Sequence, residues 1–188
     1  MVKTKAEVSI EKAFVELYRK KELSAITVKE ICQAAGLSRA TFYTYFEDIH
    51  SLLSDIEESV MSDISDILKT WEYYDLSRIK KDTPISLYVD CYRYVNRNRR
   101  VYQALLGPYG RHDFVIRYNN KIWQDYVKKI AFYEIHTSNA DMLASMCAGS
   151  VIYTSRAWVF DEFQAEPEEV ALMTTKAIIA LLNCEGNP

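Results

Sequence analysis

Glycine and proline are scarce in this chain of 188 residues, five and four respectively. Almost no stretch alternates polar and apolar residues at period two, so a β-rich fold is excluded and an all-α protein expected. Long apolar runs are missing too. Nothing approaches the roughly 18 apolar residues of a membrane span, and the N-terminus has no apolar signal core, which points to a cytoplasmic protein with no membrane partner. The four cysteines, Cys32, Cys91, Cys147 and Cys184, form no CxxC pair and read as free core thiols of a reducing compartment. His50, His112 and His136 are too few and too separated for a zinc site. The His112-Asp113 pair reads as surface, and no metal or other cofactor is expected. There is no P-loop, GxGxxG, GxSxG or HExxH, so nothing advertises an enzyme. Charge of one sign is lacking as well. With 23 Lys plus Arg against 26 Asp plus Glu, the net is −3, which gives no general attraction to nucleic acid.

What is present is concentrated between Thr27 and Leu53, TVKEICQAAGLSRATFYTYFEDIHSLL. Thr27 and Glu30 have the spacing of a capping box, in which hydroxyl and carboxylate satisfy each other's helix-start amides. Ile31 and Ala34 or Ala35 recur at helical spacing, and Gly36 falls where the first helix must stop. Ser38 is suited to cap a second helix. Two helices around a glycine-containing turn of three or four residues describe a helix-turn-helix, whose second helix enters the major groove of DNA. At about 100° per residue, Phe42 and Phe46 share a face suited to burial. Ala40 and Thr44 point nearly opposite, with Thr41 and Tyr43 on the flanks and Arg39 near the helix start. Such small, hydroxylated and cationic groups match base edges and phosphates. A hairpin that merely packs is the plainer alternative.

On these residues the segment resembles the DNA-binding domain of the TetR family of bacterial transcriptional regulators. The resemblance covers roughly Ile10 to Leu53 and rests on ITVKEI, then AAGLSRATFYTYF, then a hydrophobic long helix. It implies DNA contacts from Thr27, Val28 and Lys29 at the start of the second helix, from Ser38 at the next cap, and from Arg39, Ala40, Thr41, Tyr43, Thr44 and Tyr45. His50 is added as a partial substitute, because Ile49 stands where the family usually carries a phosphate-gripping lysine, and Glu47 where a basic residue is common. Residues 1–55 carry eight basic and eight acidic side chains. A dimer making roughly four to six phosphate contacts would show a salt slope near −4 to −5.

Beyond the motif, Ile49, Leu52, Leu53, Ile56, Val60, Ile64, Ile67 and Trp71 step at three- and four-residue intervals and describe one long helix without proline or glycine. Arg78 to Asp82 reads as a charged loop. Thr83 and Pro84 have the chemistry to open a helix reaching Asn96. The basic run at 96–100 reads as a solvated helix junction. Gly107, Pro108 and Gly110 force a turn, after which a helix is expected over His112–Tyr133. Ser138 and Asp141 fit a capping box for an apolar helix reaching about Phe163, and Pro167 opens the last one. The expected architecture is a three-helix N-terminal domain (1–50) that reads DNA, joined by the long helix to a C-terminal helical bundle (51–188), about nine helices in all.

The resemblance implies that the two terminal helices pair with their copies in a homodimer, through Met142, Met146, Gly149, Tyr153, Met173, Ala177, Ile178 and Leu181. An unknown small-molecule effector is also implied, for which Tyr88, Cys91, Tyr92, Tyr102, Trp123, Tyr126, Tyr153 and Trp158 are candidate linings, because tyrosine supplies both apolar and polar surface. The partners expected are therefore a double-stranded DNA operator, that effector and a second copy, with repression relieved by ligand. The alternative is a TetR-like coactivator or adaptor acting through protein contacts.

Overall fold

The computed structural model describes residues 3–70, 82–160 and 164–182. Among these lie nine α-helices, one short 3₁₀ turn at Leu23–Ala25, and no strand. The all-α class expected from composition is what the chain adopts. The helices are α1 Lys5–Tyr18, α2 Val28–Ala35, α3 Arg39–Tyr45, α4 Ile49–Lys69, α5 Ser86–Arg97, α6 Arg99–Leu105, α7 His112–Phe132, α8 Ala140–Val159 and α9 Pro167–Leu182. They form two compact units. One comprises the residues up to Ser62 with Arg100–Val115, the other Asp63–Arg99 with the residues from Ile116 onward. The first unit thus runs past residue 50 and takes in the first two-thirds of α4 together with α6 and its turn.

In the first unit, α1 is opened by a reciprocal cap between Thr4 and Glu7. It packs on α2 and α3, and Ile10, Phe14 and Tyr18 of α1, Ile31 of α2, Phe42 of α3, and Leu52 and Leu53 of α4 are all at most 1 % exposed. Phe14 stacks on Tyr18 with ring centres 5.3 Å apart. Asp48 and Ser51 start α4 by a reciprocal exchange: the Ser51 amide donates to Asp48 Oδ1 at 2.7 Å, and the Asp48 amide to Ser51 Oγ at 3.1 Å. The turn after α6 is tight enough to demand glycine, since a Cβ at Gly110 would meet the Leu105 carbonyl oxygen at 2.0 Å. Arg111, next to it, holds Asp113 through two bonds of 2.9 and 2.7 Å. Its guanidinium also lies 3.9 Å from Glu57, a carboxylate of α4 that is 1 % exposed. No group of three metal-ligating side chains occurs among the described residues.

In the second unit α5 packs on α8 and α9. The helix begins at Ser86 rather than beside Thr83, because the amide of its N-cap Ile85 donates 2.9 Å to the hydroxyl of Thr175 on α9. A tertiary bond thus replaces the expected local cap. Tyr92 hydrogen-bonds Thr174 at 2.8 Å and meets Trp158 edge-on. α8 is capped by Asn139, whose side chain accepts from the Met142 amide, and not by Ser138. The basic run at the α5–α6 junction is engaged by protein: Arg99 donates to the Trp158 carbonyl and Arg100 to Glu16. Along α4 the buried stripe is Leu52, Leu53, Ile56, Val60, Ile64 and Leu68. Ile67 stays half-buried, while Trp71, Arg78 and Cys184 lie outside the described residues. No described helix is long and apolar enough to cross a membrane.

Candidate nucleic-acid interface and effector cavity

The turn between α2 and α3 follows from local chemistry. Thr27 Oγ1 accepts from the Glu30 amide at 3.3 Å, and Glu30 returns the bond to the Thr27 amide at 3.0 Å. Lys21 donates to the other Glu30 oxygen at 2.7 Å. Led by that Lys21 bond, and helped by those from Thr27, the carboxyl is held down to about 2. Gly36 closes α2 in the left-handed region at φ 68°, where a side chain would be strained. Ser38 caps α3 by accepting from the Thr41 amide at 3.0 Å. Phe42 and Phe46 then turn inward, 0 % and 4 % exposed.

The remaining face of α3 looks outward. Ser38, Arg39, Ala40 and Thr44 are exposed, Tyr43 is 57 % exposed, and Thr41 and Tyr45 are half-buried. Thr27, Lys29 and His50 are exposed and Val28 half-buried. Several of these hydroxyls already have work. Those of Ser38 and Thr41 lie 2.9 Å apart, and that of Thr44 donates to the Ala40 carbonyl. Arg39 and Tyr43 are the long exposed groups of this helix. Ile49 is half-buried, and Asp48 beside it is occupied by the α4 cap, a role not read from the sequence although its spacing to Ser51 signals it.

In the second unit a cavity opens between α4, α5, α7 and α8. Of the eight residues expected to line one, Tyr88, Cys91, Tyr92 and Tyr126 do so. The other four are elsewhere. Tyr102 is buried in the first unit, and Tyr153 is 67 % exposed on the outside of α8. Trp123 is half-buried with its indole N–H on the Asp141 carbonyl, and Trp158 lies against the α8–α9 connection, donating to Ala165. Tyr118, Asp125 and Ser155, not expected from the sequence, also line the cavity, because helical period does not specify which faces of different helices converge. The Tyr88 and Tyr126 hydroxyls meet at 2.7 Å. Burial pushes both well above the ordinary tyrosine range and pushes Cys91 up to about 12.

The outer surface of α8 and α9 carries a stripe of uncovered apolar groups. Met142, Met146, Tyr153 and Met173 are 50–67 % exposed, Gly149 and Ala177 are exposed, and Leu181 is half-buried. Ile178 is not part of it. At 1 % exposure it points into its own unit with Val170 and Thr174, because α9 is apolar on more than one side.

Residues 82–180, more than half the chain, match the family model of a transcriptional regulator C-terminal region, and residues 10–56 match that of the bacterial regulatory proteins of the tetR family. The chain belongs to the TetR family of transcriptional regulators. A curated relative, the uncharacterized HTH-type transcriptional regulator YxbF of Bacillus subtilis (strain 168), is 34 % identical over 55 residues. That match takes in 29 % of this chain and only 14 % of YxbF. Among solved structures, the fatty acid degradation regulator FadR from Bacillus halodurans superposes over the whole of both chains, with a TM-score of 0.69 at 14 % identity. FadR from Bacillus subtilis, in complex with stearoyl-CoA, gives 0.64 at 16 % identity over 93 % of this chain and 96 % of its own. At such identity the likeness is one of fold.

Proposed function

We propose that this TetR-family regulator reads a palindromic operator as a homodimer and acts as a repressor that a small-molecule effector releases. The outward face of α3 carries the reading: its aromatic pair is buried while Arg39 and Tyr43 extend from the exposed side. Guanidinium and phenol at the start and middle of a recognition helix can reach guanine edges and phosphates. A palindrome needs two such helices about 34–36 Å apart, and the apolar stripe of α8 and α9 is the surface that would join them. The cavity is the effector site, and α4 is its link to the reader, since one helix supplies Ile64 and Leu68 to the cavity and the buried Leu52 and Leu53 to the first unit. A ligand favouring one placement of α4 would shift the population of DNA-competent dimers. That the B. subtilis FadR structure holds stearoyl-CoA supports an effector in this fold without identifying this one. Residues 1–50 are then the DNA-reading segment, and 51–188 the effector and dimerisation segment.

Selection of bound genomic fragments, followed by titration of the recovered site, tests this. Arg39→Ala and Tyr43→Ala should each weaken binding by about 1–3 kcal/mol with the fold intact. Undiminished affinity in both variants would remove α3 from the interface. One set of observations favours a second reading, an adaptor working mainly through protein contacts. The acidic and basic side chains of residues 1–55 cancel, and half-buried Ile49 replaces a phosphate-gripping lysine. Failure to recover any DNA at low salt, together with a captured protein partner, would select it.

A further inference from the structure

Two helices are shared between the units. α4 belongs to the first unit up to Ser62, and α7 leaves it between Val115 and Ile116. Both go on to supply cavity walls, Ile64 and Leu68 from α4, and Tyr118, Ile122 and Tyr126 from α7. Within the first unit the same two helices are joined by charge. The guanidinium of Arg111, one residue ahead of α7, lies 3.9 Å from the carboxylate of Glu57 on α4, which is 1 % exposed. Glu57 comes two turns of α4 before Ile64, about 10 Å along the helix, and Arg111 stands the same number of residues before Tyr118.

The position of that guanidinium is fixed from several directions. The turn leading to it cannot relax around a side chain, since a Cβ at Gly110 would meet the Leu105 carbonyl oxygen at 2.0 Å. Two bonds to Asp113, in the first turn of α7, orient the guanidinium plane as well as its distance. Tyr18 of α1 shares these surroundings: burial and then the charge of Glu57 push its phenol up to about 12, and Arg111 opposes the rise. Glu57 and Asp113 have other partners too. What sets Arg111 apart is that its contacts grip α4 and α7 at once. Parting opposite charges costs more where one partner is desolvated than between two surface groups, so this contact resists the sliding of one helix past the other.

We propose, on the reading of the cavity as the effector site, that Arg111 couples that cavity to the reading helix. Its grip on Glu57 makes the start of α7 and the middle of α4 move together. A shift imposed on either helix by an occupant then reaches the first unit instead of being absorbed between them. Arg111 is a positioning residue that acts through α4.

A double-mutant cycle on the full-length protein tests this without an effector, because a bulky side chain can stand for the occupant. Val151 lines the cavity, and Val151→Trp or the smaller Val151→Phe fills it. Fluorescence anisotropy measures affinity for the site recovered by genomic selection, and circular dichroism checks that each variant is folded. In the parent, filling should weaken operator binding about fivefold or more. In Arg111→Gln and in Glu57→Gln the same filling should change it by less than about twofold. Arg111→Lys, which keeps the charge, should restore most of the effect. A merely structural Arg111 would lower affinity equally with and without the filler. An effect of filling that persists undiminished in Arg111→Gln would thus overturn the coupling role and leave the effector site standing. Folded fillers that leave the parent's affinity unchanged would disconnect the cavity from the reader, and the effector reading would fall with the inference.

Discussion

Removing Tyr153 from the outer face of α8 should break the proposed dimer without disturbing the monomer. The ring is 67 % exposed in the single chain. Aromatic side chains cover 150–250 Å² when buried, so about 130 Å² of Tyr153 is available to a partner, contributing about 3 kcal/mol per copy at 25 cal/mol per Å². A twofold interface counts the residue twice, giving about 6 kcal/mol as a ceiling. Coverage is incomplete and alanine retains part of the area, so Tyr153→Ala should cost the dimer about 3 kcal/mol, a weakening of about a hundredfold. Tyr153→Glu should do more, because two carboxylates would be forced into an apolar seam. Sedimentation equilibrium over a wide concentration range measures both constants, and circular dichroism melts report whether the monomer fold persists. The reasoning is refuted if the parent protein is monomeric at high concentration, or if Tyr153→Glu dimerises as tightly as the parent. Either result would mean that the uncovered stripe including Met142, Met146 and Met173 is not the joining surface.

Replacing Ile49 by lysine should tighten operator binding and steepen its salt dependence by about 0.9 in log–log slope for each phosphate gained, hence by nearly two for a dimer; an unchanged slope in filter binding would show that position 49 faces no phosphate. Thr27→Ala removes the hydroxyl that accepts from the Glu30 amide and should lower stability by about 1 kcal/mol in urea denaturation, whether or not DNA is present. Glu30 is held down to about 2 from an ordinary 4.5. A depressed carboxyl stabilises the fold above its unfolded value, and that contribution is lost as pH falls from about 4.5 through about 2. The stability gap between the parent and Glu30→Gln should therefore be constant at neutral pH and close across that acid window. A gap that stays open there would contradict the cap geometry.

The helix-turn-helix was legible because everything that specifies it is local. Thr27 and Glu30 stand three residues apart, and Gly36 takes the left-handed conformation that ends α2. Ser38 accepts from Thr41, and the four-residue spacing of Phe42 and Phe46 decides the inward side of α3. Those interactions span no more than four residues each, so no knowledge of packing was needed to find them. The outward position of Arg39 and Tyr43 followed from the same helical period.

The second unit was legible only as a set of helices. Period 3.6 says which residues share a face, but α8 and α9 are apolar on more than one side, and the pattern cannot then say which side goes inside. Ile178 went in and Met173 and Ala177 stayed out because α9 lies on α5 and α8. Likewise Thr175, ninety residues away, satisfies the amide of Ile85 and sets where α5 begins. Tyr102 and Tyr126 are both buried aromatics in the sequence pattern, yet they lie in different units. Asp125 and Tyr118 became wall residues only when α4, α5, α7 and α8 converged. The chain's own order of residues thus settled the helical class and the caps and turn of the helix-turn-helix, which depend on neighbours along the chain. The cavity and the uncovered stripe were decided by long-range packing, where burial of one face is chosen by whatever other helices are available to cover it.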